Sequence, residues 1–329
     1  MRVLVVGASG AIGTRLVPRL IEHGHEVIAG SRSAAKAAGL RALGAEPVTF
    51  DALDADAVSR AVAAANPDAI VYQATALADS GFGRSLDKAF APTNLLRTTG
   101  VDNMLAAARE AGVRRVVAQS FAPYRYAREG GAVKTEQDAL DPAPPASARA
   151  THAAMTHVDE AVTAFGGIAL RYGGFYGAAD DSLVKPVRRR QFPVIGDGSG
   201  MMSFIHLEDA ANATVLALDH DGPAVYNITD DEPAPMSAWL PVLAEALGAK
   251  PPRHIPGWLG RLAVGDGLPM MTEARGASNA KAKAELGWTL RYPSWREGFP
   301  AVYAAPAAGG GPAAPTLDAA GPTGSIPEV

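Results

Sequence analysis

The sequence predicts an α/β fold, a doubly wound parallel sheet with a smaller C-terminal lobe, and three observations support this prediction. An uninterrupted apolar run from Val3 to Val6 is typical of a strand that is buried on both faces of a parallel sheet. A glycine-spaced turn follows, and apolar residues then recur at helical spacing up to Gly24. Strand and helix patterns alternate repeatedly before Gln119, which is the order that doubly wound sheets require.

Length and composition limit the classes of function. A chain of 329 residues can bury a large core and is long for one lobe. The formal net charge of -4 argues against a nucleic-acid surface. The absence of cysteine excludes disulfides, thiolate catalysis and cysteine-ligated metal, and no metal site is expected. No apolar run reaches membrane-spanning length, so we expect a cytoplasmic protein that acts on a small molecule and has no membrane partner.

The turn after the first predicted strand carries glycines at a G-x-x-G-x-x-G spacing, namely Gly7, Gly10 and Gly13. Unpaired amides at a helix N-terminus, together with the helix dipole, favour a bound pyrophosphate. Gly7 is expected to allow the turn, Gly10 to let phosphates approach the backbone, and Gly13 to let the helix lie close to the strand. The spacing predicts a nucleotide-binding loop, and the alternative is an ordinary strand-to-helix turn.

The residues after the second predicted strand bear on the choice of cofactor. An NAD-specific site usually places a carboxylate here to accept from the ribose hydroxyls, whereas a cation accommodates a 2′-phosphate. The chain reads Gly30, Ser31, Arg32 and Ser33, with no acid. We therefore predict NADP(H) rather than NAD(H), and the alternative is that Arg32 is a solvated loop residue.

Helical spacing and apolar runs predict the remaining elements, and residues 77–93 receive no assignment. The predicted strands span 25–29, 47–50, 68–72, 113–118, 167–170 and 225–228, and the predicted helices span 34–43, 55–65, 94–112, 148–164, 210–218 and 237–247.

The glycine spacing, with Ser9 and Ala11 between the glycines, is similar to that of extended short-chain dehydrogenases/reductases, the NAD(P)-dependent epimerase/dehydratase-like class. Later segments resemble this family in the same order along the chain, up to about Tyr303. They are LRYGGFYG at 170–177, VIGDGSGMMSFIHLED at 194–209, NAKAKAELGW at 279–288 and PSWREGF at 293–299.

The resemblance implies a division into domains. A Rossmann NADP-binding domain would span 1–175, with 204–230 returning to it, and a substrate-binding lobe would comprise 176–203 and 231–303. The tail at 304–329 is dominated by Ala, Pro and Gly with almost no charge. Such a segment cannot bury a core, so we expect it to be disordered.

The resemblance also implies which residues hold the cofactor. In this family an aspartate at the end of the third strand bonds the adenine amino group, and Asp51, followed by Ala52, occupies that place. A small polar loop after the fourth strand passes under the cofactor. The predicted cofactor-binding residues are Gly7, Ser9, Gly10, Ala11, Ile12, Gly13, Arg32, Asp51, Ala52, Ala74 and Thr75.

The catalytic residues of the family are only partly present. A serine or threonine after the fifth strand bonds the substrate oxygen and is followed by a structural tyrosine, and Ser120 and Tyr124 have this spacing. A serine in a simple turn is the alternative. The family also uses a tyrosine as general acid, with a lysine four residues later that lowers its pKa. Thr151 and Met155 occupy these two places, and no tyrosine in the chain is followed four residues later by lysine.

A different group could therefore act as the acid. Tyr124 and Tyr126 on the facing loop and His152 or His157 on the helix are the candidates, although a helix histidine can also be a plain surface or core residue. Lys134 lies in a loop, where we expect it to be exposed. The candidate catalytic residues are Ser120, Tyr124 and His152, and the candidate substrate contacts are Tyr126 and Tyr176.

These observations predict an NADP(H)-dependent oxidoreductase or epimerase-like enzyme that acts on a small carbonyl or hydroxyl substrate with a non-standard active site. One alternative is a catalytically silent NADP(H)-binding sensor, which would explain the missing pair more directly. Another is a lyase or isomerase that uses the same fold without net redox change. The resemblance further suggests a homodimer through helices that include 148–164.

Overall fold

The computed structural model describes residues 1–77, 85–178 and 183–304, so the predicted disorder of the tail from 305 onward lies outside the described residues. The strands in these ranges are β1 (Arg2–Val6), β2 (Glu26–Ser31), β3 (Glu46–Thr49), β4 (Ala69–Tyr72), β5 (Arg115–Phe121), β6 (Val133–Lys134), β7 (Ile168–Tyr172), β8 (Gly174–Tyr176), β9 (Val194–Ile195), β10 (Met201–Met202), β11 (Phe204–His206), β12 (Ala224–Ile228), β13 (Ala234–Pro235), β14 (His254–Ile255) and β15 (Gly276–Ala277).

The α-helices alternate with the longer strands, as the sequence predicts. They are α1 (Gly13–Glu22), α2 (Ala37–Ala42), α3 (Ala55–Ala65), α4 (Leu86–Leu95), α5 (Val101–Glu110), α6 (Arg149–Phe165), α7 (Val184–Arg188), α8 (Leu207–Leu218), α9 (Met236–Ala246), α10 (Gly257–Val264), α11 (Leu268–Thr272), α12 (Ala280–Leu286) and α13 (Trp295–Tyr303).

The central sheet has the order β12-β7-β5-β4-β1-β2-β3, and every pairing in it is parallel. The predicted doubly wound α/β fold is therefore confirmed. Successive residues of β1 enter different cores, because Val3 and Val5 pack with α1 and α8 while Leu4 and Val6 pack with α3 and α5. Burial on both faces explains why this strand is a continuous run of apolar residues.

The turn between β1 and α1 depends on two of its glycines. Gly7 has a φ of 85°, which only glycine adopts without strain, and this confirms its predicted role in the turn. A methyl group on Gly13 would lie 2.5 Å from the carbonyl carbon of Ala8, so the close approach at Gly13 is to the loop after β1 rather than, as predicted, to the strand itself. Gly10 is exposed, and its proposed contact with phosphate stays a prediction.

The helix predicted from residue 94 begins earlier, at Leu86, in the segment that received no assignment. Ser85 caps it by accepting from the Lys88 N–H, and Pro92 lies inside it, where a proline usually ends a helix. A π-helical turn over residues 96–100 then joins α4 to α5. The buried Tyr72 hydroxyl donates to the Leu96 carbonyl at 2.9 Å. This hydrogen bond gives the carbonyl a partner in the π-helical turn, which is wider than an α-helical turn.

A third core lies beyond the sheet and combines residues of the predicted substrate-binding lobe with Phe204, which was predicted to belong to the Rossmann domain. Aromatic rings meet edge to face there, with Phe204 against Trp239 at 5.1 Å and against Phe299 at 5.2 Å between ring centroids. Asp230 joins this core to the sheet, because its carboxylate accepts from the Trp295 N–H at 2.9 Å. The division into two domains stays a prediction.

None of the helices within the described ranges combines the length and apolarity that a membrane crossing requires.

Gly13→Ala should destabilise the protein, because its methyl group would meet backbone that side-chain rotation cannot move. We expect the free energy of unfolding to fall by about 1–3 kcal/mol in urea titrations. Gly39→Ala is the matched control, since Gly39 lies in α2 with nothing within 4 Å of an added methyl group. That variant should gain about 0.5–1 kcal/mol from helix propensity. Equal effects of the two substitutions would contradict the close packing at Gly13.

Candidate active site

Several of the predicted site residues lie at one edge of the sheet. The glycine loop follows β1, Arg32 follows β2, Ala74 and Thr75 follow β4, and Ser120 lies in the last part of β5. Parallel strands that neighbour one another end at the same edge, which is where open α/β sheets bind their ligands.

The glycine loop offers hydrogen-bond donors to an anion. In the part of the chain that the structure describes, the backbone N–H groups of Ala11, Ile12 and Gly13 have no acceptor, whereas that of Gly10 donates to Gly7 at 3.0 Å. These free groups lie at the start of α1, where the helix dipole favours negative charge. The loop therefore fits a pyrophosphate group.

The end of β2 presents hydroxyl groups and a cation. The hydroxyls of Ser9 and Ser31 lie 3.3 Å apart, and the Ser31 hydroxyl accepts from the Ser33 N–H at 3.2 Å. Arg32 is exposed and makes no hydrogen bond or ion pair to any described residue. Its guanidinium is therefore available to a ligand at this end of the strand.

The other predicted cofactor residues line the loops after β3 and β4. Asp51 is exposed and accepts from the Leu53 N–H at 3.0 Å, so its side chain shapes the turn in which it lies. The carbonyl of the buried Ala52 accepts from Asn103 at 3.0 Å. Ala74 and Thr75 are half-buried in the loop after β4. Their contacts with a cofactor stay predictions.

Ser120 lies within β5 rather than in a loop after it, because the strand continues to Phe121 through its pairing with β7. The expected strand end at residue 118 is therefore wrong. The Ser120 hydroxyl is fully buried and accepts from Arg125 Nη1 at 3.3 Å. Since its oxygen is engaged by that guanidinium, its own proton can be donated to a ligand.

The two loop tyrosines have different environments. Tyr124 is half-buried with a φ of 64°, and burial raises the pKa of its phenol to about 12. Tyr126 is buried; its hydroxyl donates to Asn227 Oδ1 at 2.6 Å and accepts from Arg171 Nη1 at 3.1 Å. Tyr126 thus fixes the loop to β7 and β12, and its contact with substrate stays a prediction.

The histidines and the loop lysine have structural partners. His152 Nε2 donates to the Arg125 carbonyl at 3.1 Å, and burial lowers the pKa of this imidazole. His157 lies 2.7 Å from Asp102, at the surface. Lys134 was expected to be exposed, but its side chain is buried and bonds Asp138 at 3.2 Å. That expectation is wrong because the β6–β15 pairing covers the loop.

Tyr176 lies in the third core rather than at the edge of the sheet. Its ring packs edge to face on Phe204, His206 and Phe299, and its hydroxyl is buried without a hydrogen-bond partner in the described ranges. Burial raises the pKa of this phenol. The prediction that Tyr176 contacts substrate finds no support in this geometry, because aromatic side chains surround it.

The two residues predicted at the places of the family's tyrosine and lysine have no titratable side chains. Thr151 and Met155 are both buried on α6, each with 2% of its surface exposed. Asn94 Nδ2 donates to the Thr151 hydroxyl at 3.0 Å, and the Asn94 oxygen has no donor in the described ranges. Neither side chain can exchange a proton near neutral pH.

The structure adds a buried charge cluster that the sequence analysis missed. Asp159 Oδ2 accepts from both Arg125 Nη2 and Arg171 Nε, each at 2.8 Å. Arg97, in the π-helical turn, lies near this pair and is 3% exposed. We refer to these four residues as the arginine cluster. The sequence contained one signal for this cluster, namely charged residues inside segments whose other side chains are apolar and buried.

Comparisons with known proteins agree with this geometry. The model of the NAD dependent epimerase/dehydratase family matches residues 3–229. The 3-diazoavenalumate denitrifying reductase of a Streptomyces species is 41% identical over 316 residues, which cover 91% of this chain and 99% of that protein. The 2-alkyl-3-oxoalkanoate reductase of Stenotrophomonas maltophilia is 30% identical over 266 residues, which cover 76% of each chain.

A solved structure shows the same fold. The human epimerase family protein SDR39U1, solved with NADPH, superimposes with a TM-score of 0.69 at 19% identity. The superposition covers 92% of this chain and 99% of that chain.

Asp159→Asn should strongly destabilise the protein, because it removes the negative charge that both guanidiniums face in a buried environment. We expect a loss of about 3–5 kcal/mol in the free energy of unfolding. Asp102→Asn is the control, since Asp102 pairs with His157 at the surface and should change stability by about 0.5 kcal/mol or less. Urea titrations of both variants measure this, and a small effect at Asp159 would contradict its role.

Proposed function

The chain belongs to the NAD dependent epimerase/dehydratase family, and within that family we propose that it is an NADPH-dependent reductase. The proposed reaction removes nitrogen from an aromatic diazo compound. At the coarser level the chain is an oxidoreductase or epimerase-like enzyme with a nicotinamide cofactor, because its relatives are reductases and epimerases. The finer proposal depends on one feature of the sequence: no tyrosine is followed four residues later by lysine, and Thr151 and Met155 are predicted at the places of that pair. The relative with 41% identity, named as a denitrifying reductase of a diazo compound, supports it.

The residues present fit a dinucleotide. The free N–H groups at the start of α1 would hold its pyrophosphate, and Asp51 would lie near its adenine. Arg32 and the Ser9 and Ser31 hydroxyls would hold a 2′-phosphate, and no carboxylate at the end of β2 opposes that charge. When bound, the reduced nicotinamide supplies a hydride.

A diazonium group suits a site without a general acid. Reduction of a carbonyl creates an alkoxide, which must receive a proton. An arenediazonium ion instead accepts a hydride at its terminal nitrogen, which forms an N–H bond and a neutral diazene. Cleavage of the C–N bond then releases N2, and the same hydrogen ends on the ring carbon. The two electrons come from NADPH, and the protein adds no proton.

The chain's own residues would orient the substrate and exclude water. Ser120 can donate its hydroxyl proton to a substrate acceptor, because Arg125 engages its oxygen. Tyr124 is the half-buried group on the facing loop, and a pKa of about 12 keeps its phenol protonated. It can donate a hydrogen bond without ionising. The proposal thus gives both residues positioning roles.

Arg32→Ala should weaken the binding of NADPH by about tenfold, because an exposed ionic hydrogen bond to the 2′-phosphate is lost. The dissociation constant for NADH should change by less than about twofold. Calorimetric titration of wild type, Arg32→Ala and the control Arg60→Ala, another exposed arginine, measures both cofactors. Equal wild-type affinities for NADPH and NADH would contradict the cofactor assignment.

The reaction can be tested with 4-carboxybenzenediazonium as substrate and NADPH deuterated at the transferred position. We expect NADPH oxidation coupled to N2 release, with deuterium in the benzoate product. Because no side chain supplies a proton, kcat/KM should stay flat between about pH 6 and 8. Turnover of ketones but not of the diazonium compound would indicate a carbonyl reductase. Cofactor binding without any turnover would indicate a sensor.

A further inference from the structure

The arginine cluster contains more positive than negative charge. Arg97, Arg125 and Arg171 share one buried carboxylate, that of Asp159, and its two ion pairs within the described ranges go to Arg125 and Arg171. Arg97 forms no ion pair with a described residue. A buried cation that has no ion pair of its own and only shares a carboxylate with two others costs free energy, so the fold retains a charge that destabilises it.

The guanidinium of Arg97 also lacks hydrogen-bond acceptors. Its Nε and Nη1 atoms are buried without a partner in the described ranges, and so are Nε of Arg125 and Oδ1 of Asp159, so that carboxylate oxygen accepts from none of the arginines. Burial, and then the nearby charge of Arg125, lowers the pKa of Arg97 to about 10. Arg97 is still charged at neutral pH. Unsatisfied donors in the interior are rare in native proteins, and each one calls for a ligand or another explanation.

These donors lie close to Ser120, the residue predicted to bond the substrate oxygen. Arg125 connects the cluster to the Ser120 hydroxyl at 3.3 Å. Asn94, on the turn before Arg97, bonds Thr151 at 3.0 Å. The π-helical turn that carries Arg97 packs against α6, which carries Thr151 and Met155. The chain thus has no lysine on α6 but brings a cation to the same region from the neighbouring helix.

We propose that Arg97 and Arg125 form an oxyanion-binding site that takes the carboxylate of an aromatic substrate. A guanidinium prefers planar oxyanions of this kind, and the bound carboxylate would supply both the missing acceptors and the missing negative charge. This inference rests on the proposed function in one respect, because it takes the bound carboxylate to belong to the substrate that accepts the hydride. The site itself can be tested without turnover.

The test is calorimetric titration of the full chain, saturated with NADP+, with benzoate and with benzamide as its neutral analogue. The variants are Arg97→Met, Arg97→Lys and the exposed control Arg60→Met. We expect wild type to bind benzoate at least about tenfold more tightly than benzamide. Arg97→Met should lose that preference, Arg97→Lys should keep part of it, and Arg60→Met should keep all of it.

Thermal unfolding separates this role from a structural one. Arg97→Met should raise Tm by a few degrees, because it removes a buried charge without a partner. The titration with benzoate and benzamide is repeated on Arg97→Gln, which places a second neutral side chain at this position. A preference for benzoate that persists in both neutral variants would overturn the proposal, and so would wild type binding the two probes equally.

The two proposals fail in different ways. Loss of benzoate binding in Arg97→Met, with no wild-type turnover of the diazonium compound, supports the anion site and overturns the proposed reaction. Unchanged benzoate binding with full turnover overturns the anion site alone. If Arg97 instead contacts a cofactor phosphate, Arg97→Met will weaken NADPH binding and leave benzoate binding unchanged, which also overturns the proposal.

Discussion

The ion pairs of Asp159 hold the candidate site together. One carboxylate oxygen on α6 accepts from Arg125 in the loop after β5 and from Arg171 in β7, each at 2.8 Å. Arg171 lies opposite Ser120 in the strand register, so the same carboxylate fixes the strand that carries the predicted catalytic serine. Tyr124, which has a φ of 64°, directly precedes Arg125 in this loop. Charge pairing in a low-dielectric interior is strong when both partners are present and costly when one is missing.

The chemistry of the site follows from what surrounds this contact. The glycine loop has free N–H groups at the start of α1, and Arg32 has no partner among the described residues. Thr151 and Met155, predicted at the places of the Tyr-x-x-x-Lys pair, are buried on α6. The site therefore combines the means to bind a dinucleotide with a set of cations and hydroxyl groups. Under the proposed function, such a set would orient an anionic, electrophilic substrate rather than protonate an alkoxide.

Part of this arrangement reduces stability. Within the described ranges, Arg97 is buried in the π-helical turn with no ion pair of its own, and its Nε and Nη1 atoms have no hydrogen-bond partner. Functional sites commonly carry strain and unsatisfied groups that the rest of the fold outweighs. The dense core on both faces of β1 and the aromatic core around Phe204 offset such costs.

The sequence by itself determined the sheet, the glycine loop and the absence of the Tyr-x-x-x-Lys pair. These features depend on local pattern, since buried parallel strands are continuous apolar runs and the turn needs glycine at fixed spacing. Only the tertiary structure decided that α4 begins before Pro92, that Lys134 and Tyr176 are buried, and that Arg97 joins the cluster. The physical reason is distance along the chain. The folded sheet brings together four residues that are far apart in the sequence, 97, 125, 159 and 171. No local pattern encodes which charges will share a buried carboxylate.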